Sequence, residues 1–391
     1  MVPLVLFAAI TSYGVWESQR HVRTLRRIPI RIHVNGTRGK SSVTRLIAGG
    51  LRAGGIRTVA KTTGTMARFI FPDGQEEDVY RVGRPNVIEQ THIMRRAADL
   101  QAQALVIECM AVMPELQPVA ELRLVQSTVG VMTNVRADHL DVMGPTVDDA
   151  ARALAQTMPL RGVAFTSERE RASIFAEIAR QRGSTLTIVS DDTVQADDMT
   201  GFPHIEHRDN VALALAVCGH LGVERDVALR GMHAAPPDPG ALQRYTVVSG
   251  GKTVRFVNAF AANDPDSTRI IWTRLGLDAP IPGVERIVLA NCRADRLQRS
   301  GQIAELIARG LDAEHVVLTG EGTGIVGLQA VSKYGLLPAK LTDLGGRDAE
   351  DVYEHLLGLV GEAAVIVGIG NIVGLGEDIV LHFTNRAISH G

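Results

Sequence analysis

Cysteine, lysine and aromatic residues are all scarce in this sequence of 391 residues. The three cysteines (Cys109, Cys218 and Cys292) are far apart and odd in number, which argues against a disulfide framework or a cysteine zinc site and indicates a reduced compartment. The net charge of −2 gives no reason to expect nucleic acid as the main partner. Hydrophobic residues make up 45%, which is the composition of a globular protein.

The sequence also lacks several motifs that mark enzyme classes. It contains no N-K-x-D tetrapeptide, which argues against a GTPase, and neither G-x-S-x-G nor H-E-x-x-H, which argues against serine hydrolases and zinc proteases. The run GIGNIVGLG (368–376) departs by one residue from the dinucleotide-binding spacing, so we interpret it as a glycine-rich turn.

The N-terminal segment 2–16 carries no charge and is followed by five arginines within 20–31. A cleaved signal peptide carries its positive charge first, so this order predicts a membrane anchor, residues 1–27, with the rest of the chain in the cytoplasm. Tyr13 and Trp16 are the aromatic residues expected at the membrane interface. The apolar run rises only about 22 Å, against roughly 30 Å of hydrocarbon, and the alternative is a buried N-terminal helix.

Beyond residue 27, apolar strands alternate with amphipathic helices. Strands are predicted near 28–34, 102–108 and 127–133, with a helix over 42–55, and this alternation is typical of a doubly wound parallel α/β sheet. The proline-rich stretch 234–241 interrupts the pattern, which then resumes. The sequence therefore predicts a first α/β domain over 28–237 and a smaller, Rossmann-like α/β domain over 238–391.

The stretch VNGTRGKSS (34–42) lies between a predicted strand and a predicted helix. It matches the phosphate-binding loop G-x-x-x-x-G-K-[ST] except that Val34 replaces the first glycine. Backbone amides, the helix dipole and the Lys40 ammonium would bind phosphates, and Ser41 would hold Mg²⁺. The predicted nucleotide-binding residues here are Gly36, Thr37, Arg38, Gly39, Lys40, Ser41 and Ser42.

Acidic and histidine side chains follow two other predicted strands. The apolar strand ALVIE ends at Glu108, and a carboxylate at that end of a core strand can hold Mg²⁺ beside phosphates. Asp138, His139 and Asp141 follow the strand near 127–133. His139 could bind a second metal or a phosphate, or lie on a surface loop.

Two further stretches contain polar residues that could contact a substrate or nucleotide. KTTGTMAR (61–68) could place Lys61 and threonine hydroxyls near an anionic substrate, and the turn 257–269 holds Asn258, Asn263 and Asp264. Helix capping and turn formation account equally well for both stretches.

Taken together, these stretches resemble the Mur ligase family, ATP-dependent enzymes that form amide bonds. GTRGKSS resembles the family's shortened phosphate loop, and Glu108 with TN…DHLD (133–141) resembles its metal-binding acid and histidine. RDNVALALA (208–216) is similar to the helix that lines the adenine pocket, with Asn210 kept and Leu213 where a second asparagine is usual. In NAFAANDP (258–265), Asn263 is kept, but Asn258 and Ala262 replace the family's aspartate and histidine, which puts ribose contacts there in doubt.

The resemblance is strongest to one branch, the ligase subunits of poly-γ-glutamate synthases (the CapB/PgsB type). KTTGT, ECMAV, DHLDVMGPT, NCRADR (291–296) and VGIGNIVG carry it, as does the apolar N-terminus. One departure concerns the carbamylated lysine that Mur ligases commonly use as a metal bridge. This chain has no lysine from 62 to 251, so His139 and other ligands would have to hold a second metal, unless that metal binds weakly.

The resemblance implies a mechanism. The γ-phosphoryl group of ATP would pass to the γ-carboxylate of glutamate or polyglutamate, and the amine of glutamate would attack the acyl phosphate. Lys40, Glu108 and His139 would be catalytic; Ser41, Glu108 and His139 would hold Mg²⁺; and the second domain would close over the nucleotide. Candidate phosphate or ribose contacts from that domain are Arg244, Arg293, Asp295 and Arg296, and candidate polyanion contacts are Arg38, Arg68 and Arg84.

The resemblance also implies partners and a location. Integral-membrane capsule or poly-γ-glutamate synthase subunits are expected to assemble with this chain at the cell membrane, and a homo-oligomer is possible. Two alternatives stay open: a Mur or folylpolyglutamate type ligase for a small molecule, and a non-catalytic, nucleotide-gated module of an export complex.

Overall fold

The computed structural model describes residues 2–63, 67–80, 86–138, 140–202, 204, 206–238, 242–260, 265–294, 297–372 and 374–387. The chain forms two compact units, one comprising Met1–Phe202 with Glu206–Asp238 and the other Pro203–Ile205 with Pro239–Gly391. Each unit is an α/β sheet with helices on both faces, as the alternation of strands and helices predicted.

The described part of the first unit contains an eight-stranded sheet in the order β4-β3-β2-β5-β1-β6-β7-β8. Strands β2, β5, β1, β6, β7 and β8 are parallel, and β3 and β4 add an antiparallel edge that the sequence did not predict. A π-helix, Ala120–Val125, continues α4. The elements are α1 Val2–Arg26, β1 Ile30–Asn35, α2 Lys40–Ala53, β2 Thr58–Lys61, β3 Arg68–Ile70, β4 Glu76–Asp78, α3 Glu89–Asp99, β5 Ala104–Glu108, α4 Leu116–Val119, β6 Val129–Met132, α5 Leu140–Met143, α6 Val147–Ala155, β7 Val163–Thr166, α7 Ala172–Gln181, β8 Thr185–Ile188, α8 Ala196–Thr200, α9 Arg208–His220 and α10 Arg225–His233.

Apolar side chains on both faces of this sheet form the core of the first unit. Helices α2, α9 and α10 pack on one face, where Ile47 and Val211 meet Val34 and Val106 of the central strands. On the other face, α3 packs on β5 and β2, and α6 and α7 pack on β6 and β7. Central parallel strands that are buried on both faces need a nearly continuous apolar sequence. For this reason these strands could be predicted from the sequence.

The second unit has a six-stranded sheet, within the described residues, in the order β13-β12-β11-β14-β10-β9. Only the β9–β10 pair is antiparallel among the pairings of this sheet in the described residues. Helices α11, α12 and α13 cover one face, and α14 and α15 cover the other. The elements are β9 Gln243–Ser249, β10 Lys252–Asn258, α11 Pro265–Arg274, β11 Val284–Cys292, α12 Leu297–Glu305, β12 His315–Gly320, α13 Thr323–Ser332, β13 Leu341–Asp343, α14 Ala349–Leu359, β14 Ala363–Gly370 and α15 Leu375–Arg386.

The predicted N-terminal membrane anchor is wrong. Residues 2–16 do form a helix, but within the described chain no helix has the length and apolar character needed to cross a membrane. Helix α1 is 25 residues long, and its polar second half packs against the rest of the first unit. There Leu25 is 3% exposed in the core, and His21 Nε2 lies 2.7 Å from the carbonyl oxygen of Leu124.

Candidate functional site

The loop after β1 adopts the conformation that its glycines permit. Gly36 has φ +134° and Gly39 has φ +79°, both in the region that side chains disfavour. A Cβ atom at Gly36 would lie 2.0 Å from Thr133 Oγ1, and one at Gly39 would lie 2.7 Å from Asn210 Oδ1. The loop therefore turns tightly between the end of β6 and helix α9, and α2 begins at Lys40 directly behind it.

Residues of the TN…DHLD stretch hold this loop in place. Asn134 Oδ1 accepts hydrogen bonds from Thr37 Oγ1 (2.8 Å) and from the Arg38 amide (3.2 Å). Thr133 Oγ1 donates to the carbonyl of Arg38 at 2.6 Å, and the Arg136 amide donates to Thr37 Oγ1 at 2.9 Å. The resemblance connected this stretch with metal binding, and the support that Thr133 and Asn134 give to the loop was not predicted.

The Lys40 ammonium bridges the loop that precedes it. Its Nζ donates to the carbonyl oxygen of Gly36 at 2.7 Å and to that of Thr37 at 3.3 Å. Arg38 forms an ion pair with Asp138 at 3.4 Å. Two cations thus lie at the N-terminus of α2, where the helix dipole also favours an anion.

The structure brings together Glu108 and Ser41, the two described residues that were predicted to hold Mg²⁺. Val34 pairs with Glu108 between β1 and β5, so the carboxylate emerges at the same sheet edge as the loop. Ser41 Oγ donates to Glu108 Oε2 at 2.8 Å, and Glu108 is 2% exposed. Thr63 orients the carboxylate, because its amide donates to Oε2 at 2.7 Å and its hydroxyl donates to Oε1 at 2.5 Å.

This pair of oxygen ligands fits a hard divalent cation. Mg²⁺ is commonly held by one or two protein oxygens together with substrate phosphates. No group of three His, Cys, Asp or Glu side chains in the described residues could hold a metal ion by itself. The arrangement thus suits a metal bound jointly with a nucleotide, while His139, the third predicted ligand, lies outside the described residues.

The other predicted residues of the first unit that the structure describes lie on α2, α5, α9, β2 and β3. Asn210 on α9 is 5% exposed, contacts the loop near Gly39, and donates to Glu206 Oε1 at 2.8 Å. Lys61 is fully buried and paired with Glu89 at 2.7 Å. Ser42 follows Ser41 in the first turn of α2, and Leu213 lies in the core. Arg68 forms an ion pair with Asp78. Asp141 is exposed on α5. Arg84 lies outside the described residues.

In the second unit, the carboxyl ends of neighbouring strands carry buried polar atoms without partners. The chain leaves β11 toward α12 on one face and leaves β14 toward α15 on the other, so the β11–β14 pair marks the switch point of the sheet. There Asn291 Nδ2 donates to the carbonyl of Asn371 at 2.7 Å, whereas its Oδ1 has no partner among the residues that the structure describes. Within the same residues, Thr319 Oγ1 and Asn258 Nδ2 are likewise unpaired.

Two other predicted residues of the second unit are described by the structure. Arg244 is exposed on β9, and Arg293 follows β11. Asn263, Asp264, Asp295 and Arg296 lie outside the described residues.

A buried ion pair lies on β1 beneath the phosphate loop. His33 Nδ1 is 2.8 Å from Glu121 Oε2 of the π-helix, and both side chains are excluded from solvent. Burial lowers the pKa of His33, but the neighbouring Cys109 and Glu121 outweigh it and raise the pKa to about 10. His33 is therefore a cation at neutral pH, and the sequence offered no signal for this pair.

Comparison with known proteins covers nearly the whole chain. Residues 34–235 match the Mur ligase middle domain, and residues 244–386 match the poly-gamma-glutamate synthase CapB C-terminal domain. The capsule biosynthesis protein CapB of Bacillus anthracis is 38% identical over 94% of this chain and 79% of that protein. The PGA synthase CapB of Bacillus subtilis (strain 168) is 38% identical over 96% of each.

A solved structure reproduces the fold at low sequence identity. The bifunctional folylpolyglutamate synthase/dihydrofolate synthase from Yersinia pestis, complexed with AMPPNP and Mn ion, has a TM-score of 0.65 and 17% identity. The match covers 94% of this chain and 92% of that one.

Proposed function

The chain belongs to the Mur ligase family, in its poly-γ-glutamate synthase CapB branch, and we propose on this basis how its residues perform that branch's chemistry. It is an ATP-dependent amide ligase of poly-γ-glutamate synthesis. The observation that carries the assignment of the site is the convergence of Lys40, Ser41 and Glu108 at the N-terminus of α2.

The residues around the loop suit phosphoryl transfer to a carboxylate. Loop amides, Lys40 and the α2 dipole would bind and polarise the phosphates of ATP, so the γ-phosphoryl group can pass to a γ-carboxylate. This transfer forms an acyl phosphate and leaves ADP. The amine of glutamate then attacks the acyl carbon, so that an amide bond forms, phosphate leaves and the amine loses a proton. Glu108 and Ser41 would hold a divalent metal that neutralises charge between the phosphates, and oxygen ligands favour Mg²⁺.

The switch point of the second unit is our candidate for the incoming glutamate. Asn291 is 3% exposed, and its Oδ1 accepts no hydrogen bond from the described part of the chain, so an ammonium or amine N–H would satisfy it. Asn291→Ala should raise KM for glutamate while leaving KM for ATP unchanged. A rise in both constants, measured by steady-state kinetics, would count against this assignment.

The decisive experiment is an assay of glutamate-dependent ADP release with D- and L-glutamate. Purified full-length protein with Mg²⁺ should release ADP and extend labelled polyglutamate, whereas Lys40→Ala should do neither. Release of ADP with a folate or a cell-wall precursor, without polymer, would instead identify a small-molecule ligase. Nucleotide binding without turnover, with polymer still formed in cells that carry Lys40→Ala, would identify a non-catalytic module.

Integral-membrane synthase subunits as partners, a location at the cell membrane and a homo-oligomer stay predictions from the resemblance. Pull-down of this chain from solubilised membranes, with its partners identified by mass spectrometry, tests the first two. The mass of the purified protein measured by light scattering tests the third.

A further inference from the structure

The edge of the first sheet opposite the phosphate loop is lined with arginines. The parallel strands begin at this edge, and an arginine precedes or opens most of them. We call this set the arginine edge: Arg26, Arg27, Arg31, Arg57, Arg123, Arg161 and Arg182.

Two exposed acids, Asp99 and Asp73, lie at the arginine edge, and Asp73 is in the β3–β4 turn beside the start of β2. Asp99 pairs with Arg27 at 3.1 Å, which leaves Arg27 53% exposed. Glu121 also faces this edge, but it is buried and neutralised by His33. The side chains of Arg123 and Arg161 are exposed and make no hydrogen bond or ion pair with the described residues.

Several of these guanidinium groups are held by backbone carbonyls. Arg27 Nη2 donates to the carbonyl of Ala98 at 2.7 Å, Arg57 Nε to that of Leu100 at 2.8 Å, and Arg182 Nη1 to that of Met158. Arginines at helix C-termini also compensate the helix dipole, which accounts for these bonds. That role does not account for Arg123 and Arg161, which use no such carbonyl.

A cavity of about 420 Å³ opens in the middle of the arginine edge, between the starts of β1, β6 and β7. Arg31, Arg161 and Glu121 line it together with the polar residues 126–128, and the exposed Leu122 and Leu160 lie at its rim. Arg161 holds φ +54° in a region that non-glycine residues disfavour, and such backbone strain concentrates at functional sites.

We propose that the arginine edge binds an extended polycarboxylate, the poly-γ-glutamate made by this enzyme, with one carboxylate seated in the cavity beside Arg31 and Arg161. The identity of the polymer rests on the proposed function. The guanidinium group of Arg161 can bind a carboxylate in a two-bond fork. Nε and Nη1 of Arg31 already donate to the backbone carbonyls of Gln126 and Ile28, so Arg31 offers Nη2 and its positive charge. Six parallel strands about 4.8 Å apart make a row of roughly 24 Å, so several successive carboxylates can bind at once.

The location and chemistry favour this occupant over others. A polymer held at this edge is separated from the phosphate loop by the length of β1, about 20 Å, so it would not compete with ATP. The residues that line the cavity include no aromatic side chain on which a nucleic-acid base would stack. Product retained here would stay near the enzyme between additions.

Binding can be tested without any ligase activity. A fluorescent γ-glutamate oligomer of about ten residues should bind the full-length protein, followed by anisotropy in the absence of ATP. The double variant Arg123→Glu/Arg161→Glu should bind about tenfold more weakly, since two exposed ion pairs are lost. The matched control is Arg230→Glu/Arg274→Glu, which changes the net charge equally at exposed positions on α10 and α11.

Hydrogen exchange locates the bound oligomer. We expect slower amide exchange at 121–128 and 160–163 and no change at 36–42. Equal weakening in both double variants, protection at 36–42 alone, or tighter binding of polyphosphate, single-stranded DNA or phosphatidylglycerol vesicles would each overturn the proposal. Normal glutamate-dependent ADP release with no oligomer binding would reject the arginine edge alone, and binding without ADP release would reject the proposed function alone.

Discussion

At the residue scale, Glu108 connects the start of α2 with Thr63. It accepts hydrogen bonds from Ser41 and Thr63 while excluded from solvent. Glu108→Gln keeps the shape and removes the charge that a metal needs, so kcat for ADP release should fall about 10²- to 10³-fold.

Thr63→Val provides a graded comparison with Glu108→Gln. It removes one hydroxyl donor to the same carboxylate. Loss of such a supporting bond typically lowers metal affinity or activity about 10- to 100-fold, so kcat for ADP release should fall by that factor. Unchanged turnover of Glu108→Gln would show that the carboxylate does not hold the metal.

Substitution of Gly36 is expected to weaken nucleotide binding. Gly36→Ala would place a methyl group 2.0 Å from Thr133 Oγ1 and strain φ +134°, so the loop must move and nucleotide affinity should fall at least about tenfold. Gly219→Ala on α9 is the control, because no atom lies within 4 Å of its Cβ. Titration with a fluorescent ATP analogue measures both, and equal affinities would contradict the steric argument.

The His33–Glu121 pair predicts how stability depends on pH. The pKa of His33 rises from 6.5 in the unfolded chain to about 10, so its stabilisation is complete below pH 6.5 and is lost as pH rises through 10. His33→Leu leaves Glu121 without its buried partner and should cost about 3–5 kcal/mol at pH 7.

Thermal unfolding between pH 7 and pH 11 checks this dependence. The gap in melting temperature between the wild type and His33→Leu should narrow at the alkaline end. A gap independent of pH would show that His33 acts through packing rather than charge.

At the scale of elements, the two halves of α1 have different roles. Side chains such as Phe7 and Ile10 are 71% and 63% exposed, whereas Leu25 is buried in the core. Deletion of residues 2–16 should therefore leave the melting temperature nearly unchanged. Leu25→Ala should destabilise the fold by about 2–5 kcal/mol. Differential scanning calorimetry measures the stability of both variants. A large fall in melting temperature on deletion would mean that the first half of α1 packs on the protein in solution.

The same helix shows where sequence reasoning failed. Charge order and aromatic residues suggested an anchor, but the apolar run is too short, and the polar half packs on the protein. By contrast, the strand–loop–helix around 30–53 was predictable, because buried parallel strands are continuously apolar and glycines mark the loop. The antiparallel β3–β4 edge was missed because it is short and polar at 76–78.

At the scale of the whole molecule, each unit has its own hydrophobic core. Clusters around Ile47 and Phe175 belong to the first unit, and those around Trp272 and Phe256 belong to the second. A fragment of residues 1–238 should therefore fold alone and bind an ATP analogue, but not ligate glutamate. Circular dichroism and nucleotide titration test this, and a fragment that is unfolded or cannot bind nucleotide would contradict it.

The sequence by itself determined the parts whose chemistry is local. The phosphate loop is a contiguous run in which glycine conformations, Lys40 and the start of α2 act together, and the alternation of strands and helices follows from burial. Only the tertiary structure decided what lies next to what. The register of β1 with β5 joins Ser41 to Glu108 and Thr63, and parallel strand order collects scattered arginines at the opposite edge. Pairings between distant segments depend on register and strand order, which no local pattern encodes.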